Sequence, residues 1–340
     1  MSGRGGGTLG ALGEDQMVAR FRRLVGRLPD SVLLGPGDDA AALRSQPGRL
    51  LLLTCDMMVE DIHFRRAWAL PEQIGWKAMA QNMSDIAAMG GQPGAAVCSL
   101  AAPGDLEAEV TDRIAQGLFR AASEYGAFLV GGDLVGSRGA IVVDVALTGW
   151  VEEELMLRRR GARPGEAILV TGALGASAAG LAALQQGLSD GSPELERALE
   201  AHHQPRPRLA EARAIALARR ATAMMDLSDG LADDLPRLCL ESGVGARVFS
   251  ERIPVDPACL ALSARVRRDA LQMAISGGED YELLFTCPQA AVGEVAAAVA
   301  AKTGTPVTRI GEIVAGTGVS FVRPDGRALE PESRFSHFTP

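Results

Sequence analysis

Hydrophobic positions along the chain fall into short runs and helical stripes, separated by glycine- and proline-rich breaks. In residues 15–28, Met17, Val18, Phe21, Leu24, Val25 and Leu28 recur at helical spacing and predict an amphipathic helix. Residues 50–54 are an apolar run ended by Cys55 and Asp56, which predicts a short buried strand delivering an acid at its C-terminal end. Residues 71–89 start at a proline and close on Gly90 and Gly91, so they read as a helix with Ala78, Met79, Met83, Ile86 and Ala87 facing inward. Asp85 then falls in the last turns, where the helix dipole disfavours a carboxylate unless something compensates it. Strands at 95–101, 127–130 and 140–150, with a helix over 106–125, complete this half.

A basic, turn-like stretch at 158–165 leads into the second half, which restarts with a strand at 167–171. A glycine-rich turn and helix follow over 172–187, and a polar break at 189–193 precedes a mainly helical region up to residue 220, punctuated by Pro205 and Pro207. Residues 221–225 lead into Asp226, followed by a helix over 231–241. Strands at 246–249, 281–286 and 306–310 finish the pattern, with an Ala/Val-rich helix between the last two. This interleaving predicts α/β and α+β architecture in two domains, residues 14–154 and 155–340, after a glycine-rich leader at 1–13. No short-period repeat is present.

Charge and composition narrow the function. With 34 basic and 42 acidic residues in 340, the formal net charge is −8, which argues against broad attraction to nucleic acid or an anionic membrane. No apolar run is long enough to span a bilayer, and the leader lacks the apolar core of a signal peptide and reads as mobile. Five scattered cysteines, at 55, 98, 239, 259 and 287, lack zinc spacing and suit a reduced compartment, so a cytoplasmic location is expected. The two lysines, Lys77 and Lys302, do not follow the glycine pattern of a P-loop, so any phosphate chemistry must use other charges.

Aspartates recur at strand ends and glycine turns: Asp38, Asp39, Asp56, Asp85, Asp133, Asp226 and Asp229. Any one of them suits a helix or turn cap equally well. Together, with few lysines nearby, they call for hard divalent cations, and Mg²⁺ takes one or two carboxylates plus substrate phosphates. Gly35-Pro36-Gly37-Asp38-Asp39-Ala40 formally fits a dinucleotide turn, but its two carboxylates would repel a pyrophosphate unless metal intervened. The segment Asp226-Leu227-Ser228-Asp229-Gly230 lacks the spacing and terminal Glu of an EF-hand. The turn from Thr171 to Ser177 suits either an anion held on free amides or a tight connection between packed elements.

As a set, these segments resemble thiamine-monophosphate kinase, of the aminoimidazole-ribonucleotide-synthetase-like superfamily. The resemblance is carried by Gly37-Asp38-Asp39-Ala40, Thr54-Cys55-Asp56 with His63-Phe64, and Asn82-Met83-Ser84-Asp85-Ile86-Ala87-Ala88-Met89-Gly90. It continues through Gly131-Gly132-Asp133, Asp226-Leu227-Ser228-Asp229-Gly230-Leu231, Ser276-Gly277-Gly278-Glu279-Asp280-Tyr281-Glu282-Leu283 and the final His337-Phe338, matching in order from about Glu14 onward. It implies ATP-dependent conversion of thiamine phosphate to thiamine diphosphate with several Mg²⁺ ions. It also implies an N-terminal α/β domain that pairs with a second copy in a homodimer around a shared β-barrel, and a C-terminal α+β domain.

By motif, the resemblance implies metal ligation by Asp39, Thr54, Asp56, Asp85, Asp133, Asp226 and Asp229. It implies ATP contacts at Gly132, Asp133, Arg159 and Ser228, and thiamine-phosphate contacts at His63, Glu279 and Phe335. Cys55 departs from the family's usual Ser or Thr, and sulfur suits Mg²⁺ poorly. Leu134 departs where a hydroxyl residue is common. Read without the resemblance, His63 is a surface or capping group, Phe335 a core side chain, the arginines at 158–160 a solvated linker, and Trp68 and Trp76 helix packing. The acceptor is an anionic phosphate monoester, so no catalytic His or Lys is needed and in-line transfer without a phosphoenzyme is expected. Relatives with other chemistry are set aside on missing atoms: selenophosphate synthetase uses a reactive residue near its N-terminus, but no Cys precedes Cys55. The hydrogenase maturation factor presents a C-terminal cysteine, whereas this sequence ends Thr339-Pro340. A degenerate, non-catalytic nucleotide-binding regulator would keep the fold but consume no ATP.

Overall fold

A computed structural model describes residues 29–30, 32–34, 42–43 and 47–332. The helix expected over 15–28, the leader, the turn bearing Asp38 and Asp39, and Phe335, His337 and Phe338 lie outside the described residues. The chain divides into two compact units, residues 1–86 with 92–152, and residues 87–91 with 153–340.

In the first unit, strands β1 (Val32–Leu34) and β2 (Ala42–Leu43) pair antiparallel. A four-stranded sheet follows, built from β3 (Arg49–Val59), β4 (Gln92–Pro103), β5 (Phe128–Ser137) and β6 (Val142–Glu152), in the order β3-β6-β4-β5. Its edges, β3 and β5, do not meet, so no closed barrel exists in the described part of the single chain. Helices α1 (Pro71–Ala88) and α2 (Ala108–Tyr125) belong to the same unit. They cross backbone to backbone at two glycines. A Cβ on Gly75 would stand 1.9 Å from the Ile114 carbonyl oxygen, and one on Gly117 would stand 2.0 Å from that of Glu72. Arg113 Nε donates to Glu72 Oε1 at 2.7 Å beside the crossing, and the Trp76 ring meets Tyr125 edge-on. Met79, Met83, Ile86, Ile114, Val143, Val145 and Leu147 are all essentially solvent-free, each burial contributing about 1.5–3 kcal/mol.

The expected strand at 50–54 is longer and less buried than its apolar composition implies. It runs through Val59, its residues alternate in exposure, and Asp56 lies within it rather than at its end. Leu51 and Leu53 are 55% and 73% exposed, because no described residue covers that face of the strand.

The second unit is built on a mixed six-stranded sheet of β7 (Ala167–Thr171), β8 (Ala223–Asp226), β9 (Gly245–Phe249), β10 (Leu283–Cys287), β11 (Val307–Val314) and β12 (Gly318–Val322). Its order is β12-β9-β11-β7-β10-β8, with only β12 and β9 parallel. Strands β7, β8 and β10 are buried at every position, which explains why they read as unbroken apolar runs. The helices are α3 (Ala176–Gln185), α4 (Pro193–His203), α5 (Leu209–Ala218), α6 (Leu231–Ser242), α7 (Pro257–Val266), α8 (Ala270–Ser276) and α9 (Val292–Thr303). Helices α3, α4, α7 and α8 share an apolar cluster that includes Ala179, Leu195, Cys259, Leu262 and Met273.

The sequence pattern misses α7, α8 and β12, although both helices carry a start signal. Asp256 caps α7 by accepting from Ala258 N at 2.8 Å, ahead of Pro257, and Asp269 caps α8 by accepting from Gln272 N at 2.8 Å. Among the described residues no helix is long and apolar enough to cross a membrane. All five cysteines are free, and burial pushes the thiols of Cys98 and Cys259 up to about 12.

Candidate active site

Alternation along β3 sorts the Thr54-Cys55-Asp56 motif. Thr54 and Asp56 share the partly buried face, while Cys55 is exposed on the other, its Sγ donating to Asp144 Oδ1 at 3.2 Å. That bond, with burial and the charges of Asp144 and Asp56, raises the Cys55 pKa. Cys55 therefore stands apart from its neighbours' oxygens. Thr54 Oγ1 donates to Asp85 Oδ2, which gives the carboxylate in the last turn of α1 a hydrogen-bond donor. Asp133 lies on the far edge strand, β5, and accepts from the Leu134 N–H at 2.9 Å. Register pairs Asp133 with Ser99, Ser99 with Asp144, and Asp144 with Met57, so Asp133 shares the open face with Cys55 rather than the face of Asp56. Three strand spacings, roughly 14 Å along the sheet, separate the two edges. Gly132 has a packing reason of its own, since a Cβ there would stand 2.1 Å from the Cys98 carbonyl oxygen.

His63 occupies the tight turn after β3, where Asp61 takes a left-handed φ of 66°. Its Nδ1 accepts the Val59 N–H at 3.0 Å, so Nε2 is the nitrogen that carries the proton in the neutral ring.

In the second unit, two loops interlock. One runs on from Asp226, the last residue of β8, and carries Ser228 and Asp229; the other joins α8 to β10 and carries Glu279, Asp280 and Glu282. Leu227 N–H donates to Glu282 O at 2.8 Å, Tyr281 N–H to Leu227 O at 2.9 Å, and Glu279 N–H to Ser228 O at 2.7 Å. Glu279 and Tyr281 hold left-handed φ values of 65° and 51°, a conformation costing about 1–2 kcal/mol per residue that only a well-anchored segment sustains.

The anchors are two carboxylates, Glu282 buried and Asp280 partly buried. Glu282 accepts a two-pronged bond from Arg208, Nη2 to Oε1 at 2.6 Å and Nε to Oε2 at 2.9 Å, and a third bond from Thr171 Oγ1 at 2.6 Å. Gly172, at φ 59°, makes room for it, because a Cβ there would stand 2.1 Å from Glu282 Oε1. Asp280 answers the question left open by the turn from Thr171 to Ser177. The amides of Gly175 and Ser177 do hold an anion-type ligand, and it is the protein's own Asp280 carboxyl, at 2.7 and 3.4 Å. Burial pushes Asp280 up to about 8, against the pull of those two amides.

Asp226 is 3% exposed at the end of β8, and Asp229 pairs with Arg237 Nη1 at 2.5 Å. Asp234, fully buried, accepts from the Asp229 and Gly230 N–H groups at 3.0 Å. Burial, reinforced by the charges of Asp226 and Asp229, pushes Asp234 up to about 7. The arginine stretch at 158–160 is exposed in its side chains but anchored in its backbone. Arg158 O accepts from Met224 N at 2.8 Å, and Arg159 O accepts from Ser242 Oγ at 2.9 Å.

The candidate metal ligands are hard oxygens in ones and twos. Among the described residues no three of His, Cys, Asp or Glu form a ready cage. This donor set fits Mg²⁺, which completes its shell with waters and substrate phosphates. The repulsion acting on Asp234 is the kind a cation beside Asp226 and Asp229 would relieve.

The sequence matches the AIR synthase related protein family, its N-terminal domain over residues 37–151 and its C-terminal domain over residues 163–323. Thiamine-monophosphate kinase from Corynebacterium glutamicum is 40% identical over 287 residues, covering 83% of this chain and 84% of that protein. The chain belongs to the thiamine-monophosphate kinase family. Thiamine-monophosphate kinase from Stenotrophomonas maltophilia K279a has the same fold, with a TM-score of 0.80 and 33% identity over 93% of this chain and 96% of that one. AaThiL complexed with AMPPCP and TMP aligns with a TM-score of 0.77 and 32% identity over 96% of this chain and 98% of that one.

For a thiamine-monophosphate kinase family member, the motif residues fall into two groups within the described residues. Thr54 and Asp85 meet in the first unit, and Ser228 and Glu279 meet in the second. Sequence reading assigned no role to Asp280, Arg208 or His202, which hold the Glu279 loop, although Asp280 lies in the Gly-Gly-Glu-Asp motif and the Ser177 amide lies in the glycine turn read as able to hold an anion.

Proposed function

We propose that this chain transfers the γ-phosphoryl group of ATP to thiamine phosphate, giving thiamine diphosphate and ADP. The observation that carries this reading is the hydrogen bond from Glu279 N–H to Ser228 O, which joins the residue expected at thiamine phosphate to one expected at ATP. Family membership supports it, as does the neighbour bound to AMPPCP and TMP.

The acceptor phosphate has a second pKa near 6, so at pH 7 it is largely ionised and attacks without a general base. The obstacle is repulsion between two anionic phosphates. Several Mg²⁺ ions would supply the offsetting charge; the candidates to hold them are Thr54, Asp56, Asp85 and Asp133 in the first unit and Asp226 and Asp229 in the second, with Asp39 outside the described residues. Arg159 adds a fixed positive charge for ATP, alongside Gly132, Asp133 and Ser228. His63 presents an Nε2–H suited to a phosphate oxygen, and Phe335, also outside the described residues, an aromatic face suited to a thiazolium cation.

The reading includes a homodimer in the cytoplasm. Leu51, Leu53 and Met57 on β3, Val97 on β4 and Val135 on β5 are 40–73% exposed on the uncovered face of the sheet. A soluble monomer rarely leaves so contiguous an apolar surface to water. A second copy closing a barrel over that face would cover it.

The test is incubation of purified protein with ATP, Mg²⁺ and thiamine phosphate, with chromatographic detection of thiamine diphosphate. Thiamine phosphate should be converted and free thiamine should not, because the site requires an anionic acceptor. Equal turnover of both would overturn the reading.

A further inference from the structure

His202 lies in the last turn of α4, far in sequence from every motif above, yet it is only 5% exposed and lies against the Glu279 loop. Its Nδ1 stands 3.3 Å from Glu279 Oε2 and 3.1 Å from Ser177 Oγ. A carboxylate only accepts, so a proton on Nδ1 is what makes this contact favourable, while toward Ser177 Oγ the same nitrogen donates or accepts according to the tautomer. Ser177 is itself 1% exposed, and its backbone N–H donates to Asp280. The contacts therefore close a ring: Glu279 to His202, His202 to Ser177, Ser177 to Asp280, and Asp280 back to Glu279 through the chain. Glu279 is held at three points, by its N–H on Ser228 O, by its carboxylate on His202, and by its neighbour on the start of α3. The His203 ring, 5.2 Å from that of His202 between centroids, backs the imidazole.

We propose that His202 is a positioning residue: through Nδ1–H it aims the Glu279 carboxylate at thiamine phosphate and so sets the affinity for the acceptor without touching ATP. This rests on the reading of Glu279 as a thiamine-phosphate contact. A left-handed backbone puts the Glu279 side chain on an unusual course, and a single rotatable carboxylate there would sample several directions. Ser177 and Asp280 determine where the imidazole stands, and the imidazole determines where the carboxylate points.

The test compares His202→Phe, which keeps a ring of similar volume without the donor, with His202→Asn, whose side-chain amide can donate from near the Nδ1 position. His202→Phe should raise the KM for thiamine phosphate about tenfold, with kcat and the affinity for a non-hydrolysable ATP analogue changed less than about twofold. His202→Asn should return the KM to within about threefold of the unsubstituted enzyme. In a Glu279→Ala background, His202→Phe should add almost nothing, because the group it orients is gone. Equal shifts for acceptor and ATP analogue, failure of Asn to restore the KM, or multiplicative effects in the double variant would each assign His202 to packing alone. Absence of thiamine diphosphate from the unsubstituted protein would instead remove the functional reading, and the role of His202 with it. A normal unsubstituted rate with an unchanged KM in His202→Phe would remove only the positioning role.

Discussion

Glu279 donates its backbone N–H to the carbonyl of Ser228 across 2.7 Å, so two loops distant in sequence are held as one surface. Because the two strands flanking these loops, β8 and β10, are paired with Asp226 opposite Leu283, the interlock begins at the sheet itself. A shift of either loop moves the other. This coupling joins the two backbones, so side-chain substitutions that leave it intact are the ones that should separate the two proposed substrate sites by kinetics.

Removing charge from an acid proposed to hold metal should cost turnover and not the fold. Asp56→Asn and Asp229→Asn are each expected to lower kcat by about a hundredfold or more. Melting temperatures should stay close to that of the unsubstituted protein, since Asp229 is exposed and Asp56 only partly buried. Near-normal rates at sub-millimolar Mg²⁺ in a folded variant would reduce that acid to a cap.

Acceptor and nucleotide contacts should separate in KM. His63→Ala is expected to raise the KM for thiamine phosphate and leave ATP-analogue binding nearly unchanged, and Arg159→Ala to do the reverse. Steady-state kinetics with each substrate varied, plus calorimetric titration of the analogue, decide it. If His63→Ala weakens both equally, its assignment to the acceptor fails.

The uncovered sheet face should govern assembly. Placing charge at Leu51 and Leu53, which are 55% and 73% exposed, in the double variant Leu51→Asp, Leu53→Asp should move sedimentation from a dimer to a monomer mass. A dimer that persists unchanged would show that a different surface makes it, or that the face is simply wet.

Breaking the Arg208–Glu282 fork should be expensive. Glu282 has 4% of its side chain exposed, so Arg208→Ala leaves a buried carboxylate short of its charge partner and should destabilise the protein by about 3–5 kcal/mol. Chemical denaturation measures this, and a loss below about 1 kcal/mol would mean that Thr171 and water suffice.

Asp280 should make stability fall as pH rises. Its carboxyl is pushed up to about 8 by burial, whereas in the unfolded chain it titrates near 4. The folded protein therefore retains a proton that the unfolded chain has released. The contribution is complete below about pH 4 and is lost as pH climbs through about 8. Thermal melts of the metal-free protein between pH 5 and 8.5 should decline more steeply for the unsubstituted chain than for Asp280→Asn. Parallel profiles would show that the two amide donors keep Asp280 ionised throughout.

Much of the secondary structure is written locally. Strands β7, β8 and β10 are covered on both faces, so their apolar runs have one reading, and α1 is bounded by a proline at its start and by Gly90, at φ 71°, after its end. The motifs that carry the family resemblance also point to candidate carboxylates, since hard cations and phosphates need oxygen donors wherever the chain folds. Strand β3 is the counterexample. Its leucines look like core, but whether a residue on a strand is covered depends on what packs against each face, and one face of β3 has nothing from the described chain upon it.

The support of Glu279 is decided still further from the local sequence. Asp280 meets Ser177 across 103 residues of chain, and His202 reaches Glu279 from the end of a different helix. No period, cap or turn signal encodes such a meeting. It follows from how α3, α4 and the α8–β10 loop pack together, which buries Ser177 and His202 against the partly exposed Glu279 and Asp280. Residue chemistry is legible one position at a time, whereas the direction in which a carboxylate points is a property of everything packed around it.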